Sequence, residues 1–329
     1  MEFYHRVEAI PDIAASVLTV GTFDGLHYGH AQLINRVVEQ ANILQVASVL
    51  ITFNPHPKEV LLREKKVPVE LLTTIEEKRE ILSQEFNLSH VLVLPFTKEF
   101  SQVSASDFLQ QYLINPFHPK EIVIGYDHRF GQGREGDAEF LRERENQYQY
   151  QTEVVEAVRY DDEQVVSSSF IRELLREGKT REAQKYLTRP YQITGVVEHG
   201  AKRGRDLNFP TANLKPENEH KLLPADGIYL VYVTGENTES YGLCSIGNRP
   251  TFDDNQHTIE VYLLNTPDQS LYTQSLTIHF FNRLRQQEKF DSADALVAQM
   301  EQDEALGLKL IEQQNPWETY QQEQMNAFN

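Results

Sequence analysis

The chain has 329 residues, which predicts two domains at the usual size of roughly 150 residues each. Hydrophobic residues make up 40% and charged residues 24% of the sequence, and this composition excludes a disordered or fibrous protein. The 49 Asp and Glu residues outnumber the 31 Lys and Arg residues, and the formal charge of −18 argues against non-specific binding to nucleic acids or anionic membranes.

The cysteine content and the first residues indicate in which cellular compartment the protein is expected. Cys244 is the only cysteine, so neither an intramolecular disulfide nor a thiolate-rich zinc site can form, which favours a reducing compartment. The first residues carry charges and lack the apolar stretch of a signal peptide, and no run of 18 apolar residues occurs. We therefore expect a cytoplasmic protein that does not bind membranes.

The first half of the chain alternates short apolar runs with helical patterns. The β-branched runs begin at Ser16, Val46, His90, Glu121 and Thr152. Apolar residues at three- and four-residue spacing between them predict helices over 31–42, 75–86, 104–114 and 136–146. This order predicts a doubly wound parallel sheet, in which ligands bind beyond the carboxyl ends of the strands.

The second half has a different pattern. After about Thr188, short segments of alternating apolar and polar residues are separated by Gly, Pro, Asn or Asp, which predicts an antiparallel barrel or sandwich. A last helix is expected after a cap at Asp291 or Ser292, and the Gln-rich last dozen residues are interpreted as a solvated tail. The polar stretch around 180–190 is the expected boundary.

The segment GTFDGLHYGH, residues 21–30, follows the first predicted strand. Its glycines allow a tight turn, and the free N–H groups of the helix that begins near Gly29 favour a phosphate group. His27 and His30 are three residues apart, so their rings can face one volume. Phosphate binding, a metal pair and a glycine-rich turn with incidental histidines all remain open from these residues alone.

Three further polar segments stand at or beyond predicted strand ends. TFNPHP, residues 52–57, contains two prolines that stiffen the loop around His56. GYDHRFG begins at Gly125 and places Asp127 at the end of a strand. VSSSFIR places serine hydroxyls before a helix with Arg172 in its first turn, a combination that suits a phosphate but also occurs as an ordinary helix cap.

Together these four motifs resemble the adenylyltransferase domain of the bacterial bifunctional riboflavin kinase/FAD synthetases, which belongs to the nucleotidyltransferases with an HxGH motif. The resemblance covers roughly residues 17–176. It implies that ATP phosphates lie over His27 and His30, that Arg172 closes on them, and that FMN phosphate attacks the α-phosphorus to give FAD and pyrophosphate. Further contacts with ATP or FMN are implied for Gly21, Phe23, Asp24, Gly25, Gly29, Asn54, His56, Pro57, Asp127, Ser167, Ser168 and Ser169.

The second domain contains the segment HGAKRGRDLNFPTANL, which joins a Gly/Lys/Arg loop to a strand. Thr211 and Asn213 are two residues apart, so their oxygens point to one face, and such oxygens suit Mg²⁺ and nucleotide phosphate. Lys202, Arg203 and Arg205 are candidates for a cationic flap. In HTIEVYLL the apolar residues alternate with Glu260, which is expected to be either solvent-exposed or, beside a substrate hydroxyl, a general base.

These segments, with PADGIYLVYV, SIGNRPTF, IEVYLL and LRQQEKF, resemble the riboflavin kinase module of the same family over about 191–300. The resemblance implies a six-stranded antiparallel barrel in which Thr211 and Asn213 bind Mg²⁺ and ATP and Glu260 deprotonates the ribityl 5′-hydroxyl. Further ATP contacts are implied for Gly200, Lys202, Arg205 and Pro210. Flavin contacts are implied for Arg285, Glu288 and Phe290.

The expected enzyme is thus bifunctional, with an adenylyltransferase domain over 1–186 and a riboflavin kinase domain over 187–329. Riboflavin, FMN and ATP are the expected substrates, with Mg²⁺ and no tightly bound organic cofactor, no nucleic-acid partner, and weak homo-oligomerisation at most. The sequence departs from the family pattern at four positions: His128, Ser169, Asn208 and Thr273. Two alternatives remain: one domain is degenerate, or the chain is a flavin- or nucleotide-binding regulator without turnover.

Overall fold

The computed structural model describes residues 1–63, 67–160, 164–198, 209–248, 257–264 and 271–327. The chain divides into two compact units, Met1–Ser168 and Ser169–Asn329.

The first unit is built on a six-stranded parallel sheet. Its strand order is β1-β4-β3-β2-β5-β6, and every neighbouring pair runs parallel. The strands are β1 (Glu2–Tyr4), β2 (Ser16–Val20), β3 (Ala47–Asn54), β4 (His90–Pro95), β5 (Pro119–Gly125) and β6 (Gln151–Val155). All five residues of β2 are buried, as expected for the middle of a sheet covered on both faces.

Helices cover both faces of this sheet. They are α1 (Tyr28–Leu44), α2 (Pro57–Leu62), α3 (Ile75–Glu85), α4 (Ala105–Phe108), α5 (Asn115–Phe117), α6 (Ala138–Arg142) and α7 (Glu145–Tyr148). The next helix, α8 (Ser168–Arg176), begins at the last residue of this unit. Successive residues of β2 point to opposite faces: Val17 packs with α1 and α3, and Leu18 packs with the 105–117 helical stretch. The predicted doubly wound sheet is confirmed.

Three details of the first unit differ from the sequence-based expectation. The edge strand β1 was not predicted, because three residues are too short for a periodic pattern. The helix expected over 104–114 continues to Phe117 through a π-helical segment, Leu109–Ile114. The helix expected over 136–146 is two short helices, and a small antiparallel pair, β7 (Arg159–Tyr160) and β8 (Gln164–Val165), precedes α8.

The second unit contains a closed antiparallel barrel after α9 (Thr180–Leu187). Its strands are β9 (Tyr191–Glu198), β10 (Thr211–Pro216), β11 (Gly227–Gly235), β12 (Thr238–Asn248), β13 (His257–Leu263) and β14 (Ser275–Arg285). They close in the order β10-β13-β12-β11-β14-β9, with β10 paired to β9. Two helices follow, α10 (Ala293–Gln314) and α11 (Pro316–Ala327). The predicted six-stranded barrel with a C-terminal helix is confirmed.

The end of the chain refines one expectation. Ser292 caps α10, as one of the two predicted caps, with its Oγ accepting from the backbone N–H of Ala295 at 3.1 Å. The last dozen residues, interpreted as a solvated tail, are mostly exposed where the structure describes them, but they continue the helix α11, which packs on the barrel through Trp317 just before them. The Trp317 ring stacks on Tyr232 with centroids 4.4 Å apart, and its backbone N–H donates to the Tyr241 hydroxyl at 2.9 Å. Trp317 alone supplies these contacts with the barrel, and the Gln-rich composition of the helix does not predict them.

Two further features of the fold concern the cysteine and the length of the apolar helices. Cys244 is buried in the barrel, as expected for a small core residue, and burial raises the pKa of its thiol. Across the described ranges, none of the helices has both the length and the apolar character that spanning a membrane demands.

Candidate active sites

In the first unit, the loop after the central strand β2 is tightly turned. Gly25 has φ of 87°, in the left-handed region that glycine adopts without strain. Phe23 and Leu26 have φ of 45° and 42°, which are strained values for residues with side chains. The Gly21–Leu26 loop is thus held in a conformation that its own sequence does not favour, as often found at ligand-binding sites.

The two histidines of the first motif lie against each other at the start of α1. Their rings are stacked with centroids 3.6 Å apart and an angle of 15° between the planes. His27 is the N-cap of α1, and its Nδ1 accepts from the backbone N–H of His30 at 3.4 Å. Phe23 packs edge-on against His30 at 5.3 Å. The structure thus places both imidazoles at a helix N-terminus, where the dipole favours an anion.

The buried side chain of Asp24 connects this loop to residues 72 and 73. Its carboxylate is 2% exposed and accepts from the backbone N–H groups of Leu72 and Thr73, both at 3.0 Å. The Thr73 hydroxyl in turn accepts from the N–H of Gly25 at 3.0 Å. These contacts engage Asp24 with protein backbone, so its predicted contact with ATP or FMN remains a prediction.

The serine motif lies beside the histidine motif. The Ser168 hydroxyl donates to the carbonyl oxygen of Asp24 at 2.8 Å. Gly29 also lies close to Val166, since a Cβ atom at position 29 would be 3.8 Å from the Val166 carbonyl oxygen. Two motifs whose bonded residues are 144 positions apart in the sequence are therefore adjacent, although the serine motif follows the β7–β8 pair and not a strand of the parallel sheet. Ser167 immediately precedes α8, Ser169 is exposed, and Arg172 is buried on the same helix.

The TFNPHP motif forms the end of β3 and the start of α2. His56 is the N-cap of that helix, with Nδ1 accepting from the Lys58 N–H at 3.1 Å, and Pro57 is the first helical residue. Glu59 completes the capping box by accepting from the His56 N–H at 2.7 Å. Asn54, the last residue of β3, is exposed. The rigid turn expected from the two prolines is therefore a helix cap that fixes the His56 ring.

The GYDHRFG loop follows β5. Asp127 is exposed, while the Nε2 atom of His128 is buried and without a hydrogen-bond partner among the described residues. Burial, together with the positive charge of Arg134, lowers the pKa of His128 to about 4, so its ring is neutral at pH 7. Its ring stacks on Phe130 at 5.8 Å. Arg129 is ion-paired with Asp137.

A cluster of aromatic side chains was missed by sequence reasoning. It lies after the ends of β3, β4 and β5, and its members pack with ring centroids 5.2–6.4 Å apart. The cluster consists of Phe53, Phe96, Phe100, Phe108, Tyr112 and Phe130. The available signal was the position of Phe53 and Phe96 at the ends of apolar runs. Phe108 and Phe130 are buried core residues, whereas the other four rings are half-buried and offer an apolar surface to a flat ring.

In the second unit, two predicted polar residues and a serine that was not predicted form a row across three barrel strands. Glu260 on β13 stands opposite Asn213 on β10 and opposite Ser245 on β12. The flanking Ile259 and Val261 are each 2% exposed, whereas Glu260 is half-buried on the other face. The period of two therefore places these three polar side chains on one side of the barrel wall.

Thr211 is in contact with the same carboxylate. Its hydroxyl donates to Oε2 of Glu260 at 3.3 Å. Phe209 is buried beside Tyr262, with ring centroids 5.1 Å apart, and the exposed Pro210 leads into β10. The predicted flap residues Gly200, Lys202, Arg203, Arg205 and Asn208 lie outside the described residues.

The predicted flavin-contacting segment lies beyond the end of β14. The guanidinium of Arg285 forms two hydrogen bonds of 2.8 Å with the carboxylate of Asp303 on α10, and its centre lies 5.7 Å from the Phe290 ring. Glu288 is exposed. Gln287 donates to Ser245 at 3.3 Å, which connects this segment to the polar row.

The oxygen atoms of Thr211, Asn213 and Glu260 fit a hard cation. A threonine hydroxyl, an asparagine amide oxygen and a carboxylate are the oxygen ligands that Mg²⁺ takes, with water and phosphate completing the shell. Among all the described residues, these included, no group of three or more His, Cys, Asp or Glu side chains is arranged to hold a metal.

Two family models match consecutive parts of the chain. The FAD synthetase model matches residues 10–170, and the riboflavin kinase model matches residues 187–311. The first match contains the histidine, proline, GYDHRFG and serine motifs up to Phe170, and the second contains the polar row.

Curated bacterial proteins named bifunctional riboflavin kinase/FMN adenylyltransferase are similar over most of the chain. The Listeria monocytogenes protein is 34% identical over 289 residues, which are 88% of this chain and 90% of that protein. The Bacillus subtilis protein is 33% identical over 293 residues, 88% and 90% of the two chains. The Escherichia coli K12 protein is 32% identical over 302 residues, 91% and 94% of the two chains.

A solved structure has the same fold. A crystal structure described as a macrolide-efflux protein from Streptococcus pneumoniae superposes with a TM-score of 0.81 and 30% sequence identity, covering 93% of this chain and 98% of that one. The order of the two family models, the extent of the curated relatives and this fold agree with one another. The chain belongs to the bifunctional riboflavin kinase/FMN adenylyltransferase family.

Proposed function

We propose that this protein converts riboflavin to FMN and then FMN to FAD, consuming one ATP in each reaction. The domain over 187–329 is the riboflavin kinase, and the domain over 1–186 is the FMN adenylyltransferase. The observation that carries the proposal is that each matched family region contains its own polar site: the stacked His27–His30 pair in one and the Thr211–Glu260 contact in the other.

In the kinase reaction, Glu260 acts as the general base. Its carboxylate accepts the proton of the ribityl 5′-hydroxyl as that oxygen attacks the γ-phosphorus of ATP, and ADP leaves. The Thr211 hydroxyl donates to this carboxylate, and Asn213 stands opposite Glu260 in the strand pairing. Arg285 and Phe290 would contact the flavin at the end of β14.

In the adenylyl transfer, the chain's own groups stabilise charge. A phosphate oxygen of FMN attacks the α-phosphorus of ATP, the bond to the β-phosphate oxygen breaks, and pyrophosphate leaves. His27, His30 and the N-terminus of α1 donate hydrogen bonds to the phosphate oxygens, and the serines and Arg172 of α8 are proposed to close on them. No protein nucleophile is needed, because binding aligns the two reactants.

Mg²⁺ is proposed to be required for both reactions. In the kinase unit Thr211 and Asn213 would hold it, and it would neutralise the charge of the ATP phosphates. A cation would be needed there because the chain itself has a formal net charge of −18 and supplies little positive charge of its own. The half-buried rings of the aromatic cluster beyond β3, β4 and β5 are proposed to receive the flavin ring of FMN.

Three further expectations remain proposals. The boundary between the two domains is placed between residues 186 and 187, which agrees with the start of the riboflavin kinase match at residue 187. A cytoplasmic location is supported by the single buried cysteine. A weak homo-oligomer is proposed, and the acidic net charge supports the proposal that the protein has no nucleic-acid partner.

One incubation tests the proposal and its alternatives. Purified protein is mixed with riboflavin, ATP and Mg²⁺, and flavins are separated by chromatography over time. We expect FMN to appear first and FAD to follow. FMN alone, or FAD only from supplied FMN, would leave a single active domain, and flavin binding without any product would indicate the non-catalytic regulator.

A further inference from the structure

We propose that Lys78 is a positioning residue for adenylyl transfer: its buried ammonium group ties the Gly21–Leu26 loop to β3 and so holds His27 and His30 in their stacked arrangement. This inference rests on the proposed adenylyl transfer at the histidine pair. Lys78 belongs to none of the four motifs that carry the family resemblance.

The contacts of Lys78 join two separate site segments. Its Nζ donates to the carbonyl oxygen of Thr22, inside the loop, at 2.6 Å and to the hydroxyl of Thr52, near the end of β3, at 3.3 Å. The Thr52 hydroxyl also donates to the Thr22 carbonyl, at 3.2 Å. One ammonium group therefore fixes the loop that leads to His27 against the strand that leads to His56.

Lys78 is a charge placed in the protein interior. The residue is 5% exposed, and burial lowers the pKa of its amine to about 8, partly opposed by the negative charge of Asp24. A buried lysine is costly unless its donors are satisfied, and an apolar side chain would fill the same space at less cost. Its presence here is explained by the carbonyl and hydroxyl groups that it holds.

The loop needs such support because its backbone is strained. Phe23 and Leu26 both have positive φ, and strained backbone persists only where surrounding contacts determine it. Without the ammonium group, the Thr22 carbonyl would lose its shorter hydrogen bond. The loop would then relax toward ordinary backbone angles, and the histidines would move with it.

The helix that carries Lys78 is itself firmly placed. Thr74 caps α3 and forms a reciprocal capping box with Glu77, which is 1% exposed. The residues just before the helix, Leu72 and Thr73, bind the Asp24 carboxylate. Residues 72–78 therefore form hydrogen bonds with the loop at two points, Asp24 and Thr22. These contacts restrain the loop relative to the firmly placed helix α3.

Lys78 acts through the loop and not on substrate. Its ammonium group faces a carbonyl and a hydroxyl in the buried layer between α3 and the sheet. A purely structural role would lower stability and leave turnover by folded protein unchanged. A positioning role lowers kcat in protein that remains folded, because misplacement of about 1 Å at a reacting centre costs up to about 100-fold in rate.

The test is Lys78→Met, compared with Lys120→Met. Lys120 is an exposed lysine on β5 of the same unit and provides the matched control. We expect Lys78→Met to lower kcat for FAD formation from FMN by about 10- to 100-fold, with a smaller change in KM for ATP. Riboflavin phosphorylation by the same protein, and both activities of Lys120→Met, should equal those of wild type. Rates are measured well below the unfolding transition.

A second variant covers the case in which Lys78→Met does not fold. Thr52→Val keeps the shape of the side chain but removes the hydroxyl that Lys78 and Thr22 share, and we expect it to lower the same kcat several-fold. Unchanged kcat for FAD formation in folded Lys78→Met, or in Thr52→Val where Lys78→Met is unfolded, overturns the inference. If wild type makes no FAD from FMN, the proposed function fails and the inference fails with it.

Discussion

Asn213 and Glu260 stand directly opposite each other on the antiparallel strands β10 and β13. Side chains in such pairs lie on the same face with Cβ atoms about 5 Å apart. The proposed general base and the proposed metal and nucleotide ligand are therefore positioned by strand pairing and not by a loop. Sites built on strands hold their geometry before substrate binds, which reduces the reorganisation needed for reaction.

Glu260→Gln should abolish FMN formation while FAD formation from supplied FMN persists. Glutamine keeps the shape of the side chain but cannot accept the hydroxyl proton, and loss of a general base costs about 100- to 10,000-fold in rate. Glu239→Gln, at an exposed position of β12, is the matched control and should retain both activities. The assay separates FMN and FAD by chromatography. Equal loss of both activities in folded Glu260→Gln would contradict the assignment.

His30→Ala should have the opposite effect. It removes one of the two stacked imidazoles at the N-terminus of α1, and loss of one charge-stabilising donor costs about 100-fold or more in rate. FAD formation from FMN should fall by this factor, whereas phosphorylation of riboflavin should not change. His5→Ala, an exposed histidine of the same unit, serves as the control. If FMN formation falls equally in a folded variant, the two activities are not divided between the two units as proposed.

Much of the fold was predictable because it follows from periodicity and chain order. The alternation of apolar runs and helices predicted the parallel sheet, and Glu260 was correctly placed opposite the apolar face of its strand. Lys78 was not predictable as a support, because a lysine within a charged helix is normally exposed and nothing in the local sequence marks its burial. The packing of Trp317 and the aromatic cluster likewise depend on contacts between residues far apart in the sequence.

Asp303→Asn should destabilise the second unit and weaken flavin binding. Asp303 is 4% exposed, and its carboxylate holds the guanidinium of Arg285 in two 2.8 Å hydrogen bonds. Removing one partner of a buried ion pair typically costs about 3 kcal/mol or more. We expect a lower denaturation midpoint and a raised KM for riboflavin, measured by chemical unfolding and kinase assays. Glu301→Gln, an exposed carboxylate on the same helix, should change neither quantity, and a wild-type midpoint in Asp303→Asn would refute the role of the pair.

Trp317→Ala should release α11 from the barrel. Trp317 is the only tryptophan of the chain and stacks on Tyr232, so its fluorescence reports on this contact. Truncating a fully buried aromatic side chain costs about 3 kcal/mol, so we expect a smaller loss for the half-buried Trp317, and a smaller one again for Trp317→Phe because one ring remains. Chemical denaturation followed by circular dichroism measures both variants. Identical stability of Trp317→Ala and wild type would mean that α11 does not contribute to the folded unit.

The pH dependence of stability offers a separate check on Lys78. Its pKa in the folded protein, about 8, lies below the ordinary value of 10.5. Below pH 8 both states are protonated and the folded state bears the full cost of the buried charge. Between pH 8 and 10.5 the unfolded state binds more protons, so stability should rise with pH by up to about 3 kcal/mol from this group. Calorimetric unfolding of wild type and Lys78→Met across this range isolates the effect, because other groups titrate equally in both. A constant difference in stability between the two proteins from pH 7 to 10.5 would show that Lys78 is not buried as a charge.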